Sequence, residues 1–298
     1  MTNNERYLLR YVCNGDMKNA QIWAKNILDG ISSKVDENFR NELLKTLSKR
    51  RNTFMELPYN MKELLIAEDS EQFPINRYLV RESEEQIVKA ILDAYSVSQE
   101  LSELGIKYVP SLMLYGVSGG GKTTLARYIA YKAKLPFIYV KFSNLVSSYL
   151  GSTQSNISKI FDFVKTKPCV LCFDEIDAVG MARGQRNDVG EMNRIVITLM
   201  QELDELNNDV ILIGTTNRFD RLDDALIRRF TIQSEVLPLN ATEMCDLIRQ
   251  FFETANIDTS GWLTKWIYEN FKNPNECAST IITKCTAKLV SILMERKR

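Results

Sequence analysis

The chain has 298 residues, and its 38 lysines and arginines balance 38 aspartates and glutamates. This balance provides no overall basic field and argues against nucleic acid as a partner. The chain has no histidine, which excludes a His-Glu-x-x-His zinc protease and a Ser-His-Asp triad within it. No apolar run reaches the roughly 18 residues of a membrane-spanning helix, and the first residues do not resemble a signal peptide. We therefore expect a cytoplasmic protein with no membrane partner.

The N-terminal part of the chain predicts a small helical domain over residues 1–52. Three segments have the periodicity of amphipathic helices, namely 4–13, 16–29 and 36–51. Two interpretations of this domain stay open: a bundle that only packs on the rest of the protein, or an adaptor that recruits a substrate or partner. Residues 53–76 contain Pro58 and Pro74 and predict a linker. A helix is predicted next, at 83–104.

A glycine-rich loop follows an apolar run at 112–115 and has the spacing G-x-x-x-x-G-K-T. Glycines let the backbone wrap tightly with its N–H groups turned inward, and the helix that follows adds the positive end of its dipole. In such a loop Lys122 reaches the β- and γ-phosphates of ATP, and the Thr123 hydroxyl ligates Mg²⁺. The alternative is an ordinary glycine-rich turn, but residues 124–130 continue as the required helix. The predicted ATP-binding residues here are Gly116, Ser118, Gly119, Gly120, Gly121, Lys122, Thr123 and Thr124.

A second nucleotide signature lies about 50 residues further on, where the apolar run Val170-Leu-Cys-Phe ends in Asp174 and Glu175. An apolar strand that ends in two acids is common by itself. After a phosphate loop it predicts that Asp174 holds the Mg²⁺ of bound ATP together with Thr123. Glu175 is then the candidate base that activates a water for attack on the γ-phosphate.

Strands and helices alternate through the middle of the chain, which predicts a parallel sheet in an α/β domain. The predicted strands are 111–115, 136–141, 169–173, 210–214 and 232–237. A ligand is expected at the carboxyl ends of such strands. After Pro238 only helices are predicted, at 241–256, 260–271 and 275–295.

Two stretches resemble the AAA+ ATPase family, in its AAA clade proper. Asp174-Glu-Ile-Asp-Ala is similar to the DEIDA signature, and residues 211–230 are similar to the second homology region. The resemblance implies that Asn217 positions the attacking water. It also implies that Arg228 and Arg229 are arginine fingers for the ATP of a neighbouring subunit. The two arginines Arg228 and Arg229 are adjacent, with no Pro-Gly between them, which is closer to spastin and katanin. The stretch Asp177-Ala-Val-Gly-Met-Ala-Arg-Gly184 is closer to the membrane-bound AAA proteases.

The resemblance also implies an architecture. The fold is then a three-layer P-loop α/β sheet of order 5-1-4-3-2, counting the predicted strands along the chain, with a C-terminal helical lid. The large α/β subdomain takes residues 77–238 and the lid takes 239–298. Fingers that act on a neighbour imply a closed ring of identical subunits, and a hexamer is expected.

Residues 149–151 lie between a predicted strand and the helix 153–165, and read Tyr-Leu-Gly. They resemble the pore loop of AAA unfoldases, which implies that Tyr149 and Leu150 grip a threaded polypeptide. An aromatic ring offers rigid contact area at little entropy cost and suits many sequences. The alternative is a tyrosine packed at a helix start.

The leading hypothesis is therefore a hexameric ATP hydrolase that unfolds or remodels polypeptides, with a separate protease as a candidate partner. The alternative from another class is a nucleic-acid motor or helicase loader, and the zero net charge and the aromatic loop argue against it. A third candidate is a binding switch that barely turns over, which the presence of Glu175 and Asn217 does not favour.

Overall fold

The structure is a computed structural model that describes residues 2–13, 20, 23–24, 26–28, 30, 55–141, 145, 153–165, 167–178, 189–271 and 276–296. The chain divides into two compact units, Met1–Thr53 and Phe54–Arg298. The first unit contains helix α1 (Asn3–Cys13), and Tyr7 of that helix stacks on Trp23 with ring centroids 4.7 Å apart. The predicted helix at 36–51 lies outside the described residues, as does much of the one at 16–29.

The second unit has a six-stranded sheet. Its strands are β1 (Ile66–Glu68), β2 (Ser111–Tyr115), β3 (Phe137–Lys141), β4 (Cys169–Asp174), β5 (Val210–Thr216) and β6 (Ile232–Glu235). Its helices are α2 (Glu82–Glu103), α3 (Lys122–Ala133), α4 (Thr153–Val164), α5 (Val189–Asp204), α6 (Asp224–Ile227), α7 (Ala241–Thr254), α8 (Leu263–Asn270) and α9 (Ala278–Glu295). No helix of the described residues is long and apolar enough to cross a membrane.

The sheet order is β1-β3-β4-β5-β2-β6. The strands from β2 to β6 are the five predicted ones and are parallel, and read from the β6 edge they follow the predicted order 5-1-4-3-2. The complete sheet differs from the prediction because β1 adds a sixth, antiparallel strand beside β3. The sheet is therefore mixed, with its antiparallel strand at one edge.

The segment predicted as a linker, 53–76, contains β1 and short 3₁₀ turns at Tyr59–Met61 and Ser70–Gln72. Its side chains Met55, Met61 and Leu65 are buried in the core of the α/β unit. The sequence did not reveal this strand because the strand is short. A three-residue strand has too few positions to show the alternation of a longer one, and its neighbour β3 lies about 70 residues away.

The inner strands of the sheet are buried on both faces, which agrees with the predicted three-layer arrangement. Successive side chains of a strand point to opposite faces, and in β4 Leu171 and Phe173 join one core whereas Val170 and Cys172 join the other. Helices α4 and α5 cover the first face, and α2 and α3 cover the second. Near-continuous apolar strands are the expected consequence of this double burial.

A third core belongs to the C-terminal helices. It contains Leu247, Ile248 and Phe252 of α7 together with Ile281 and Cys285 of α9, and the rings of Trp262 and Trp266 pack edge-on against Phe252. Asn240 caps α7 with a reciprocal capping box to Glu243. The division into subdomains at residues 238 and 239 stays a prediction.

Candidate nucleotide-binding site

The phosphate loop lies between the carboxyl end of β2 and the first turn of α3. Gly116 and Gly119 both have left-handed φ angles, 140° and 73°. A Cβ at Gly116 would lie 2.5 Å from the Val236 carbonyl oxygen, and one at Gly119 would contact Ser279 Oγ of α9. Both positions therefore favour glycine for conformation, and Gly116 also requires it for space. The Ser279 N–H donates to the Gly119 carbonyl at 3.2 Å, so the loop also contacts the C-terminal helices.

Lys122 is the first residue of α3 and is buried. Its Nζ donates to the carbonyl oxygens of Gly116 at 3.0 Å and Val117 at 2.8 Å, and to Asn217 Oδ1 at 2.6 Å. Burial lowers the pKa of Lys122, and the carboxylate of Asp174 opposes this shift. The ammonium thus lies inside the loop and donates to uncharged acceptors. A bound phosphate would replace these acceptors as its partner.

Asp174 ends β4 beside α3, and both of its carboxylate oxygens accept hydrogen bonds. Oδ1 accepts from Thr123 Oγ1 at 2.9 Å and from the Thr215 hydroxyl, and Oδ2 accepts from the Tyr139 hydroxyl at 2.8 Å. A hydroxyl and a carboxylate oxygen in contact are the hard oxygen ligands that Mg²⁺ prefers alongside phosphate oxygens. Thr123 and Asp174, the two predicted metal ligands, therefore fit the magnesium of a bound nucleotide.

Glu175 has a left-handed backbone, with φ 54°. For a residue with a Cβ this conformation is uncommon and costs energy, and such residues concentrate at functional sites. The turn is held by Thr215, whose Oγ1 accepts from the Glu175 N–H at 3.3 Å and whose carbonyl accepts from the Ile176 N–H at 3.0 Å. Residues of β5 thus fix the start of the loop that carries the candidate base.

Asn217 follows β5 directly, and the bond from Lys122 places it beside the phosphate loop. The preceding Thr216 donates to Asp177 Oδ1 at 2.8 Å and accepts from the Arg218 N–H at 2.9 Å, so the backbone on both sides of Asn217 is held. The candidate water-positioning residue therefore lies on the same edge of the sheet as Asp174 and Glu175.

These residues line a cavity of about 520 Å³. Its polar part contains Ser118, Gly119, Gly120, Gly121, Lys122, Thr123, Thr124, Asp174, Glu175, Thr215, Thr216 and Asn217. A volume of this size is within the range of small-molecule sites. The structure thus brings together the predicted phosphate, metal, base and water-positioning residues around one cavity.

The other part of the cavity was missed by sequence reasoning. It is apolar, with Leu79, Leu239, Leu247 and Ile282 in its wall. Next to it Arg81 forms a buried ion pair with Glu84 at 2.5 Å and donates to the Leu237 carbonyl at 2.9 Å. No motif marks these positions, because they come from three distant parts of the chain. An apolar wall opposite a phosphate loop suits the base of a nucleotide.

Arg228 and Arg229 do not line this cavity. They lie near the opposite end of β2, where Ser111 Oγ donates to the Arg229 carbonyl at 2.8 Å. The Arg229 guanidinium pairs with Asp204 at 3.1 Å and donates to the Ala225 carbonyl at 2.7 Å, whereas Arg228 is exposed. Their role as fingers stays a prediction. Tyr149 and Leu150 lie outside the described residues, so the pore loop also stays a prediction.

Comparison with known proteins agrees with this geometry. The family model described as "ATPase family associated with various cellular activities (AAA)" matches residues 112–237. The chain is 42% identical over 134 residues to the protein named peroxisomal ATPase PEX6 of Saccharomyces cerevisiae, which covers 43% of the chain and 13% of that protein. It is 32% identical over 206 residues to the pex6 protein of Schizosaccharomyces pombe, covering 66% of the chain and 22% of that protein.

A bacterial protein described as the uncharacterized AAA family ATPase y4kL, of Sinorhizobium fredii, is 35% identical over 145 residues, with 49% of the chain and 44% of that protein covered. The chain spans less than about a quarter of the length of these two PEX6 relatives and less than half of y4kL. The closeness to spastin, katanin and the AAA proteases stays a prediction.

Proposed function

The chain contains an ATPase domain of the AAA family, and from this premise we propose that it is an ATP-driven motor that unfolds or remodels proteins. The observation that carries the proposal is the convergence of Lys122, Asp174, Glu175 and Asn217 around one cavity. We also propose that the protein is cytoplasmic. Its nucleotide would be ATP with Mg²⁺.

The proposed chemistry is hydrolysis of the γ-phosphate. Lys122 and the loop N–H groups bind the phosphates, and Thr123 and Asp174 hold the magnesium. The ion supplies charge neutralisation when it is bound. Asn217 orients the attacking water, and Glu175 accepts its proton. Lys122 and Thr123 lie on α3, Asp174 ends β4, and Glu175 and Asn217 directly follow β4 and β5, so the sheet fixes the positions of these residues.

The proposed assembly is a ring, and we expect a hexamer. Arg228 and Arg229 lie near the end of β2 opposite to the phosphate loop, so they can reach the ATP only of another subunit. A contact between two different surfaces of identical subunits closes into a ring when the rotation permits it. A hexameric ring would bring copies of Tyr149 and Leu150 together at a pore through which a polypeptide is threaded.

Polypeptide-stimulated turnover tests the proposed substrate class. ATP hydrolysis should rise on addition of unfolded casein and should not respond to single-stranded DNA. Tyr149→Ala should keep basal hydrolysis and lose the response to casein, whereas Tyr149→Phe should keep both, because grip requires a flat apolar ring and no hydroxyl. Stimulation by DNA alone would instead favour the nucleic-acid motor or helicase loader.

A trapping variant would identify the client and any separate protease. Glu175→Gln keeps the phosphate and metal ligands and removes the base, so it should bind ATP without turnover and retain the polypeptide. Capture should depend on ATP and should be lost in the double variant with Tyr149→Ala. Capture that persists without ATP would contradict threading.

A further inference from the structure

Asp174 has a hydrogen-bond partner that the nucleotide motifs do not include. The hydroxyl of Tyr139, on β3, donates to Asp174 Oδ2 at 2.8 Å. The other oxygen, Oδ1, accepts from Thr123 at 2.9 Å and from Thr215. The carboxylate is therefore held from both sides, by the candidate metal ligand on one oxygen and by a tyrosine on the other.

The position of Tyr139 is fixed by the sheet. In the parallel pairing of β3 with β4, Tyr139 lies opposite Cys172, two residues before the level of Asp174. On its other side, Tyr139 pairs with Ile66 of the edge strand β1. The tyrosine is thus enclosed between two strands, and its backbone cannot shift along β3 without a change of register.

The ring of Tyr139 is also braced by charge. The guanidinium carbon of Arg127, on α3, lies 5.5 Å from the ring centroid. Arg127 in turn makes a two-point ion pair with Glu68 of β1, at 2.7 and 2.9 Å. The guanidinium over the ring face, and the two-point ion pair that holds this guanidinium in place, both restrict the movement of the Tyr139 ring. The edge strand that the sequence did not predict therefore supports the residue that touches Asp174.

The Tyr139 hydroxyl acts as the donor in its hydrogen bond to Asp174. The ordinary pKa of a tyrosine hydroxyl is about 10, so the group keeps its proton at neutral pH. The Tyr139 hydroxyl therefore donates to Asp174 Oδ2. With Thr123 and Thr215 on Oδ1, this leaves a lone pair of Oδ2 for a further partner.

We propose that Tyr139 is a positioning residue that orients Asp174 toward the magnesium of the bound nucleotide. This inference rests on the proposed function, because it assigns a role within the same site. Carboxylates that ligate metals are themselves hydrogen-bonded, and removal of such an outer partner typically weakens metal affinity by about 10–100-fold. Tyr139 lies behind the ligand and touches neither ATP nor the metal in this role.

The test is the magnesium dependence of ATP binding in Tyr139→Phe. We would measure equilibrium binding of a fluorescent ATP analogue over a magnesium titration and in EDTA, with Glu175→Gln as background so that turnover does not interfere. The half-saturating magnesium concentration should rise by about tenfold or more, whereas affinity in EDTA should be unchanged. Phenylalanine keeps the ring under Arg127, so the melting temperature should stay close to that of the background.

Tyr128→Phe is the matched control. It removes a hydroxyl that donates to Glu85 at 2.6 Å, from α3 but away from Asp174. It should leave the magnesium titration unchanged. An equal shift in both variants, or a loss of affinity in Tyr139→Phe that is the same with and without magnesium, would overturn the positioning role.

The outcomes also separate this inference from the proposed function. If the Glu175→Gln background does not bind the analogue at all, the nucleotide site itself is wrong. If the background binds with a clear magnesium dependence and Tyr139→Phe has the same titration curve, the site stands and Tyr139 has no positioning role. A large fall in melting temperature in Tyr139→Phe but not in Tyr128→Phe would make Tyr139 a structural residue.

Discussion

Two cationic regions of the molecule differ in what they can do within a single chain. Lys122 is enclosed by the phosphate loop, and its hydrogen-bond acceptors among the described residues are neutral, namely two carbonyls and Asn217. Arg229 already has an acidic partner, Asp204, and its neighbour Arg228 is exposed. A buried cation that has no ion pair among the described residues can bind an anionic ligand, whereas Arg228 and Arg229 lie away from the cavity and would act, as we propose, on a second subunit.

Lys122 and Arg229 lie at opposite ends of β2, which explains why they differ in their partners. The phosphate loop follows the carboxyl end of β2, whereas Arg229 is bonded through its carbonyl to Ser111 at the amino end. Ligands of parallel α/β sheets bind at the carboxyl ends of the strands. The arginines therefore lie at the other end of the sheet from their own cavity, and this separation supports the proposed ring.

Loss of the enclosed cation should have the largest effect. Lys122→Ala leaves the phosphates without their main cationic partner, so we expect ATP binding to become undetectable by calorimetric titration. Lys132→Ala, on the same helix but paired with Glu85 at the surface, is the control and should bind ATP normally. Unchanged affinity in Lys122→Ala would refute the phosphate site.

Loss of the exposed arginine should affect turnover and not binding. Arg228→Ala should lower the rate of hydrolysis by about 10³–10⁵-fold, as for arginine fingers in general, with ATP affinity largely intact. Arg249→Ala, an exposed arginine of α7, is the control and should be neutral. Steady-state hydrolysis and nucleotide titration together check this.

A mixing experiment sharpens the same prediction. Arg228→Ala and Lys122→Ala subunits should each be inactive, yet a mixed ring should recover part of the activity, because one contributes an intact ATP site and the other an intact arginine. No recovery in rings shown to contain both subunits would contradict the assignment of Arg228 to a neighbour's site.

The pair between Asp204 and Arg229 should have the smallest effect. The two side chains are 56% and 31% exposed, so Asp204→Asn should lower the free energy of unfolding by at most about 1 kcal/mol. Turnover should not fall, since a finger must leave Asp204 to reach a neighbour. Asp246→Asn, from a similar exposed pair with Arg249, is the control in denaturant titrations. A loss of turnover in Asp204→Asn alone would mean that Arg229 must be held in place within its own subunit.

The local parts of the site could be predicted from the sequence alone. The loop from Gly116 to Thr123 and the pair Asp174-Glu175 are contiguous, and their chemistry depends on residue types at fixed spacing. The parallel strands from β2 to β5 could be predicted for a similar reason, because a strand buried on both faces is apolar along most of its length. The three layers and the strand order were implied by the family resemblance.

The parts of the site that depend on contacts between distant residues could not be predicted in this way and are seen only in the folded protein. The apolar wall joins Leu79 to Ile282, the phosphate loop meets Ser279, and Tyr139 reaches Asp174 because β3 and β4 pair in one particular register. Such contacts leave no periodic trace in the sequence. A hydrogen bond between side chains 35 positions apart depends on strand order and register, and these are fixed by the burial of both sheet faces together rather than by any one segment.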